Sequence, residues 1–195
     1  MAAGQPLRGL VAQSMSGQRK KVAAMTRVYP PGTYTFTAPK TGLYEFAGWN
    51  CGRNQKNTGY SVSGAFGLRQ IRMGRGQSAT LNVGSGDEAS GSAGSAGANT
   101  VTSIAFPDGR SMTWTDGDNT TGAVAAVTGG DVNISGNASN SVAVGAPSYG
   151  HYVGGQPGGL SQPGGPGSGG YAGAQVFGSP AQIIVTLVGP NLLVS

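Results

Sequence analysis

Past Asp131 the chain contains no lysine, arginine, aspartate or glutamate. Such a segment is not solubilised by charge, and it lacks the charge runs that mark disordered tails. It is therefore expected to be ordered by packing, against the rest of the chain or against sister chains. Glycine sharpens the constraint. The chain holds 37 glycines in 195 residues, and glycine loses more backbone freedom on folding than any other residue. At roughly 1–2 kcal/mol of ordering per residue, a glycine-rich segment needs an offsetting network of backbone hydrogen bonds.

The charges that do occur are placed early. All 12 basic residues lie at or before Arg110. Arg19, Lys20 and Lys21 form a cluster inside a first zone, residues 1–31, that ends at Pro30-Pro31-Gly32. This zone reads as an arm, with a short helix or an extended strap between Leu10 and Val28, and the basic cluster as its anchor. Aromatic residues do not interleave with the basic ones as stacking platforms for nucleic acid require, so no nucleic-acid partner is expected. Cys51 is the only cysteine, which excludes an internal disulfide and a thiolate metal site; a buried apolar role is its default. No segment has the apolar run of a signal peptide or a membrane span, so neither an export leader nor membrane insertion is expected.

From Gly32 to Thr115 the pattern is β. Tyr34 and Phe36 alternate with threonines, Ala79, Leu81 and Val83 share one face of another run, and Pro107-Asp108-Gly109 joins two more. Short alternating runs punctuated by Gly and Pro predict an all-β, jelly-roll-like β-sandwich with strands over 33–115. Asn50 to Gly64 reads as an exposed loop. Residues 117–178 are glycine-rich without strand alternation and read as an insertion. Two structures fit it: a flexible linker, or packed polyglycine-II-type extended helices, which have no internal hydrogen bonds and must bond to their neighbours. The apolar run 181–188 (Ala181-Gln182-Ile183-Ile184-Val185-Thr186-Leu187-Val188) is a closing strand that needs a partner. If it joins the earlier sheet, the insertion is pinned at both ends, which favours ordered helices. A single β domain over 32–195 follows.

Catalytic and metal chemistry finds little support. His151 is the only histidine and lies in the charge-free zone with no triad pattern around it. Asp116-Gly117-Asp118-Asn119 spaces oxygen ligands as a calcium loop does but lacks the distal glutamate. Gly165 to Gly170 matches G-x-G-x-x-G, yet neither follows a strand nor opens a helix as that motif requires. No enzyme activity, cofactor or metal is expected. Tyr149, His151, Tyr152 and Tyr171 are the candidate contact residues, since aromatic faces and hydroxyls suit mixed surfaces. They fit equally a role plugging gaps between extended helices.

Four elements in order carry a resemblance: Thr35-Phe36-Thr37-Ala38-Pro39, the run from Gly76-Gln77 to Val83-Gly84, the Gly150–Gly173 tract, and Ser179-Pro180-Ala181-Gln182-Ile183-Ile184-Val185. Together, over residues 32–188, they resemble the glycine-rich domain of tailed-bacteriophage tail fibre and spike proteins. The resemblance implies a virion component, commonly where the host surface is met, binding a surface glycan or an outer-membrane protein. The chain departs from the family pattern at 119–149, which is rich in Thr, Ser, Asn, Ala and Val rather than glycine. The runs Gly32–Phe36 and Gly42–Phe46 are also similar to strands of trimeric jelly rolls of the complement/tumour-necrosis type, implying a homotrimer. On this reading the basic arm docks other virion proteins. Seating on the capsid as a decoration protein or head fibre is the alternative, and a secreted glycine-rich structural or ice-binding protein a more distant one.

Overall fold

The computed structural model describes residues 25–53, 59–85, 101–142, 144–155, 166–169 and 179–190. These residues contain strands and no helix. Two five-stranded antiparallel sheets pack face to face as a β-sandwich. The first sheet has the order β1 (Thr26–Tyr29), β12 (Gln182–Pro190), β3 (Gly42–Trp49), β5 (Phe66–Met73) and β10 (Val132–Ile134). The second runs β2 (Gly32–Thr37), β6 (Ser78–Val83), β7 (Ser103–Ala105), β8 (Ser111–Thr115) and β9 (Ala126–Thr128). A short pair, β4 (Ser61–Val62) and β11 (Ala138–Ser139), stands apart.

Alternation in the strands builds the core. Tyr44 and Phe46 of β3, Ile71 and Met73 of β5, and Ile183, Val185 and Leu187 of β12 point inward from the first sheet. Phe36, Leu81, Ile104, Met112 and Trp114 meet them from the second. Phe46 sits edge-on to both Phe36 and Phe106, with ring centroids 5.6 and 5.2 Å apart. The Trp114 indole N–H donates to the Ala65 carbonyl at 3.2 Å, so its one polar group is satisfied inside the core. The chain crosses from the second sheet to the first between β2 and β3 and returns between β5 and β6. Because β2 pairs with β6 and β3 with β5, these four strands form one long antiparallel ribbon folded across both layers.

Three expectations change. Thr26–Tyr29, the end of the expected 1–31 arm, is an edge strand hydrogen-bonded to β12. Its chain leaves the sheet at Pro30-Pro31, which have no N–H to donate, and the expected helix does not extend into Met25–Val28. The zone expected to be strandless holds β9, β10 and β11. These strands are only two or three residues long, too short for a period of two to stand out. Asn50–Arg53 and Ser61–Gly64, expected as an exposed loop, are largely buried. The closing strand does join the earlier sheet, running between β1 and β3.

What buries those loop residues is backbone packed on backbone. Residues 166–169 illustrate it. The Gly64 N–H donates to the Gly167 carbonyl (2.6 Å) and the Gly155 N–H to Pro166 (3.1 Å). Gly167 N–H donates to Pro180 (3.1 Å), Gly169 N–H to Val144 (2.9 Å), and Ser179 N–H to Ser168 (2.8 Å). One short segment thus bonds to four others, around residues 64, 144, 155 and 179–180. A strand in a flat sheet has two neighbours; this segment sits inside a bundle. Such contact requires side chains to be missing. A Cβ on Gly169 would lie 2.7 Å from the Ser61 hydroxyl and from the Val62 carbonyl. Where side chains remain they are small and paired, as with the buried Ser168 and Ser179 hydroxyls, 2.7 Å apart. The described parts of the glycine-rich zone are therefore ordered through their amides. Residues 156–165 and 170–178, the rest of the Gly150–Gly173 tract included, lie outside the described residues.

Candidate functional site

The outer face of the first sheet is covered by a second layer. Residues of β3, β5 and β12 that alternate away from the sandwich core present Glu45, Ala47, Trp49, Phe66, Leu68, Ile184 and Thr186 on this side. Ala47, Trp49, Phe66 and Leu68 form a second apolar cluster with Ala146 and Tyr152, which come from residues 144–155 lying across the sheet. Ala146 N–H donates to Gly155 (2.9 Å), closing the loop on itself. At its tip, Tyr149 and Tyr152 exchange N–H to carbonyl bonds of 2.9 Å each. The two-residue turn between them uses Gly150 at φ +58°, a left-handed conformation that glycine tolerates. The Trp49 indole N–H fastens the loop from below, donating to the Pro147 carbonyl at 2.7 Å.

Tyr152 is the peg of this layer. Its ring is 5 % exposed, and its hydroxyl donates to Glu45 Oε1 at 2.6 Å. Gln70 Nε2 donates to the other oxygen, Oε2, at 2.8 Å. Glu45 is a buried carboxylate satisfied by neutral donors, as burial of a charge demands. Burial foremost, and then the acceptor role of Glu45, push the Tyr152 phenol well above its ordinary value, against a smaller opposing effect of Thr186. Tyr152→Phe is expected to leave Glu45 Oε1 without its donor and cost about 1–3 kcal/mol, measured as a shift in urea midpoint at pH 7. The sign of the pH effect follows from the raised value. The unfolded phenol ionises first, so wild type loses stability as pH rises from about 10 toward the folded value. The Phe variant lacks that component and has the flatter alkaline limb.

The candidate contact residues therefore separate. Of the two roles open to it, Tyr152 takes a plugging one: its ring packs with Ala47 and Leu68 while its hydroxyl serves Glu45. Tyr149 is 43 % exposed and stacks on Phe66 at 5.9 Å and 26°. His151 is exposed at the turn, its ring 4.1 Å from that of Tyr152. Tyr171 and the basic cluster Arg19, Lys20 and Lys21 lie outside the described residues. The acidic loop is engaged internally. Asp116 accepts from Asn50 Nδ2 (2.7 Å) and Arg53 (3.2 Å), while Asp118 caps its own turn through the Thr120 N–H (2.7 Å) and the Thr121 hydroxyl (2.9 Å).

Beside the turn, an open cleft of ≈ 480 Å³ separates His151, Tyr152 and Val153 from Thr26 of β1 and from Gln182, Ile184 and Thr186 of β12. Trp49 and Pro166 complete its lining. Alternation in β12 carried the signal for this wall, since Gln182, Ile184 and Thr186 must face away from Ile183 and Val185. Comparison with protein-family models finds no match, and comparison with curated proteins finds none either.

Proposed function

We propose that this chain is a structural, non-catalytic component of a tailed-phage virion, a tail fibre or spike element that meets the host surface. Four sequence elements in the order of the fibre glycine-rich domain support the reading. The observation that carries it is the backbone bundle: the described residues of the charge-free segment, held by backbone amides, present the 149–152 turn from a packed body. Contact residues held in place before binding lose little entropy on binding. The ribbon of β2, β3, β5 and β6 folded across both sheets supports a jelly roll, and with it a homotrimer of the complement/tumour-necrosis type. In this proposal the described glycine-rich residues belong to packed extended helices, and the segment with Arg19, Lys20 and Lys21 docks the protein to its particle. A host-surface glycan or outer-membrane protein is the partner.

Immunogold labelling of intact particles tests the placement, together with adsorption assays in which recombinant protein competes with phage. Label at the tail and blocked adsorption are the expected results. Label on the shell alone would transfer the protein to capsid decoration, and particles without label would overturn the virion role.

A further inference from the structure

The cleft between the 149–152 turn and the outer edge of the first sheet has a chemistry of its own, and we infer that it is a subsite for a neutral saccharide. This names the ligand class for the host-contact reading and rests on it.

The lining selects against other ligands. Among the described residues no Lys, Arg, Asp or Glu lines the cleft. A phosphate, a carboxylated sugar or a cation would lose water there without gaining a counter-charge. A purely apolar ligand would strand the polar wall instead. Thr26 and Thr186 stand with hydroxyl oxygens 3.4 Å apart, and Gln182 projects from the same face of β12. Hydroxyls and amides each donate and accept, the pairing that a polyol offers from every ring carbon. Across the cleft, Val153, 70 % exposed, and the His151 ring supply a surface for the C–H face of a sugar ring. On the β12 wall, Ile184, between Gln182 and Thr186, adds an apolar surface of its own.

Dimensions agree. The cleft volume falls in the range of about 300–1,000 Å³ typical of small-molecule sites. Same-face residues on a strand lie roughly 6.6 Å apart, so Gln182 and Thr186 are separated by about twice that. Such a span fits two linked rings better than one. The wall is also rigid, because β12 is paired on both sides, while the turn opposite is pegged through Tyr152 to Glu45.

Saturation-transfer NMR on the full chain tests this directly. The probes are lactose and maltose, the methyl glycosides of galactose and glucose, and N-acetylneuraminic acid as the anionic comparator. Transfer to a neutral disaccharide, stronger than to the single rings and than to neuraminic acid, is expected. Val153→Asp and Gln182→Ala should weaken it roughly tenfold, the scale of one or two lost contacts, with an unchanged melting temperature. Absence of transfer to every neutral probe, equal transfer to neuraminic acid, or binding indifferent to both variants would each overturn the subsite. Tail labelling and adsorption block by the same variants keep the two questions apart: if both persist while no sugar binds, the subsite fails and the virion role stands.

Discussion

Gly52→Ala is expected to remove a large share of the stability of the fold, although it adds a single methyl group. A Cβ on Gly52 would fall on the Ser168 carbonyl oxygen, far inside van der Waals contact. The obstacle is backbone, so no rotamer change relieves it. Residues 166–169 must move away, and they are bonded to four other segments at once. The Gly52 N–H to Ser179 bond (2.9 Å) and the Ser179 N–H to Ser168 bond (2.8 Å) are the first to break. Overpacking costs about 1–3 kcal/mol, and two buried backbone bonds add about 1 kcal/mol each. A total of about 4 kcal/mol or more compares with roughly 5–15 kcal/mol for a whole domain. Urea denaturation measures it. Gly189→Ala is the control. Nothing lies within 4 Å of a Cβ there and its φ is not left-handed, so its stability is expected to stay within about 0.5 kcal/mol of wild type.

The second large effect belongs to the sandwich core. Phe46→Ala removes a ring that is fully buried and held edge-on between Phe36 and Phe106. Phe36 is fixed by the pairing of β2 with β6, and Phe106, just past β7, by its N–H bond to the Arg110 carbonyl (2.9 Å), so the cavity cannot collapse fully. The expected cost is about 3–5 kcal/mol, read as a fall in urea midpoint at an unchanged slope. Phe46→Leu, which keeps most of the volume, is expected to cost less than half as much.

These two substitutions mark what the sequence discloses and what it hides. Phe46 is legible: β3 alternates Tyr44 and Phe46 against Glu45 and Ala47, and period two reports which side chains share a face. The same logic exposes β2, β6 and β8, while β12 shows as a continuous apolar run. Gly52 is not legible, because a bundle held by amides leaves no side-chain period. A glycine facing open solvent and one wedged against a carbonyl are the same letter. That is why Asn50–Gly64 reads as an exposed loop, and why β9 to β11 are hidden among Thr, Asn and Ala. Tyr152 lies between these cases. An aromatic residue in a glycine-rich stretch reads alike as a surface contact or a plug, and only its partner decides. The partner did leave a sign: Glu45 is the one carboxylate in an otherwise apolar strand, at a position facing away from the sandwich core. Such a group, once a second layer covers it, needs a donor.

Amide hydrogen–deuterium exchange tests the bundle most directly. On the full-length chain at neutral pH, the amides of Gly64, Gly155, Gly167, Gly169 and Ser179 are predicted to exchange as slowly as those of β3 and β12, since all open only with global unfolding. Exchange of these amides at the rate of an unstructured peptide, with β3 and β12 still protected, would contradict it.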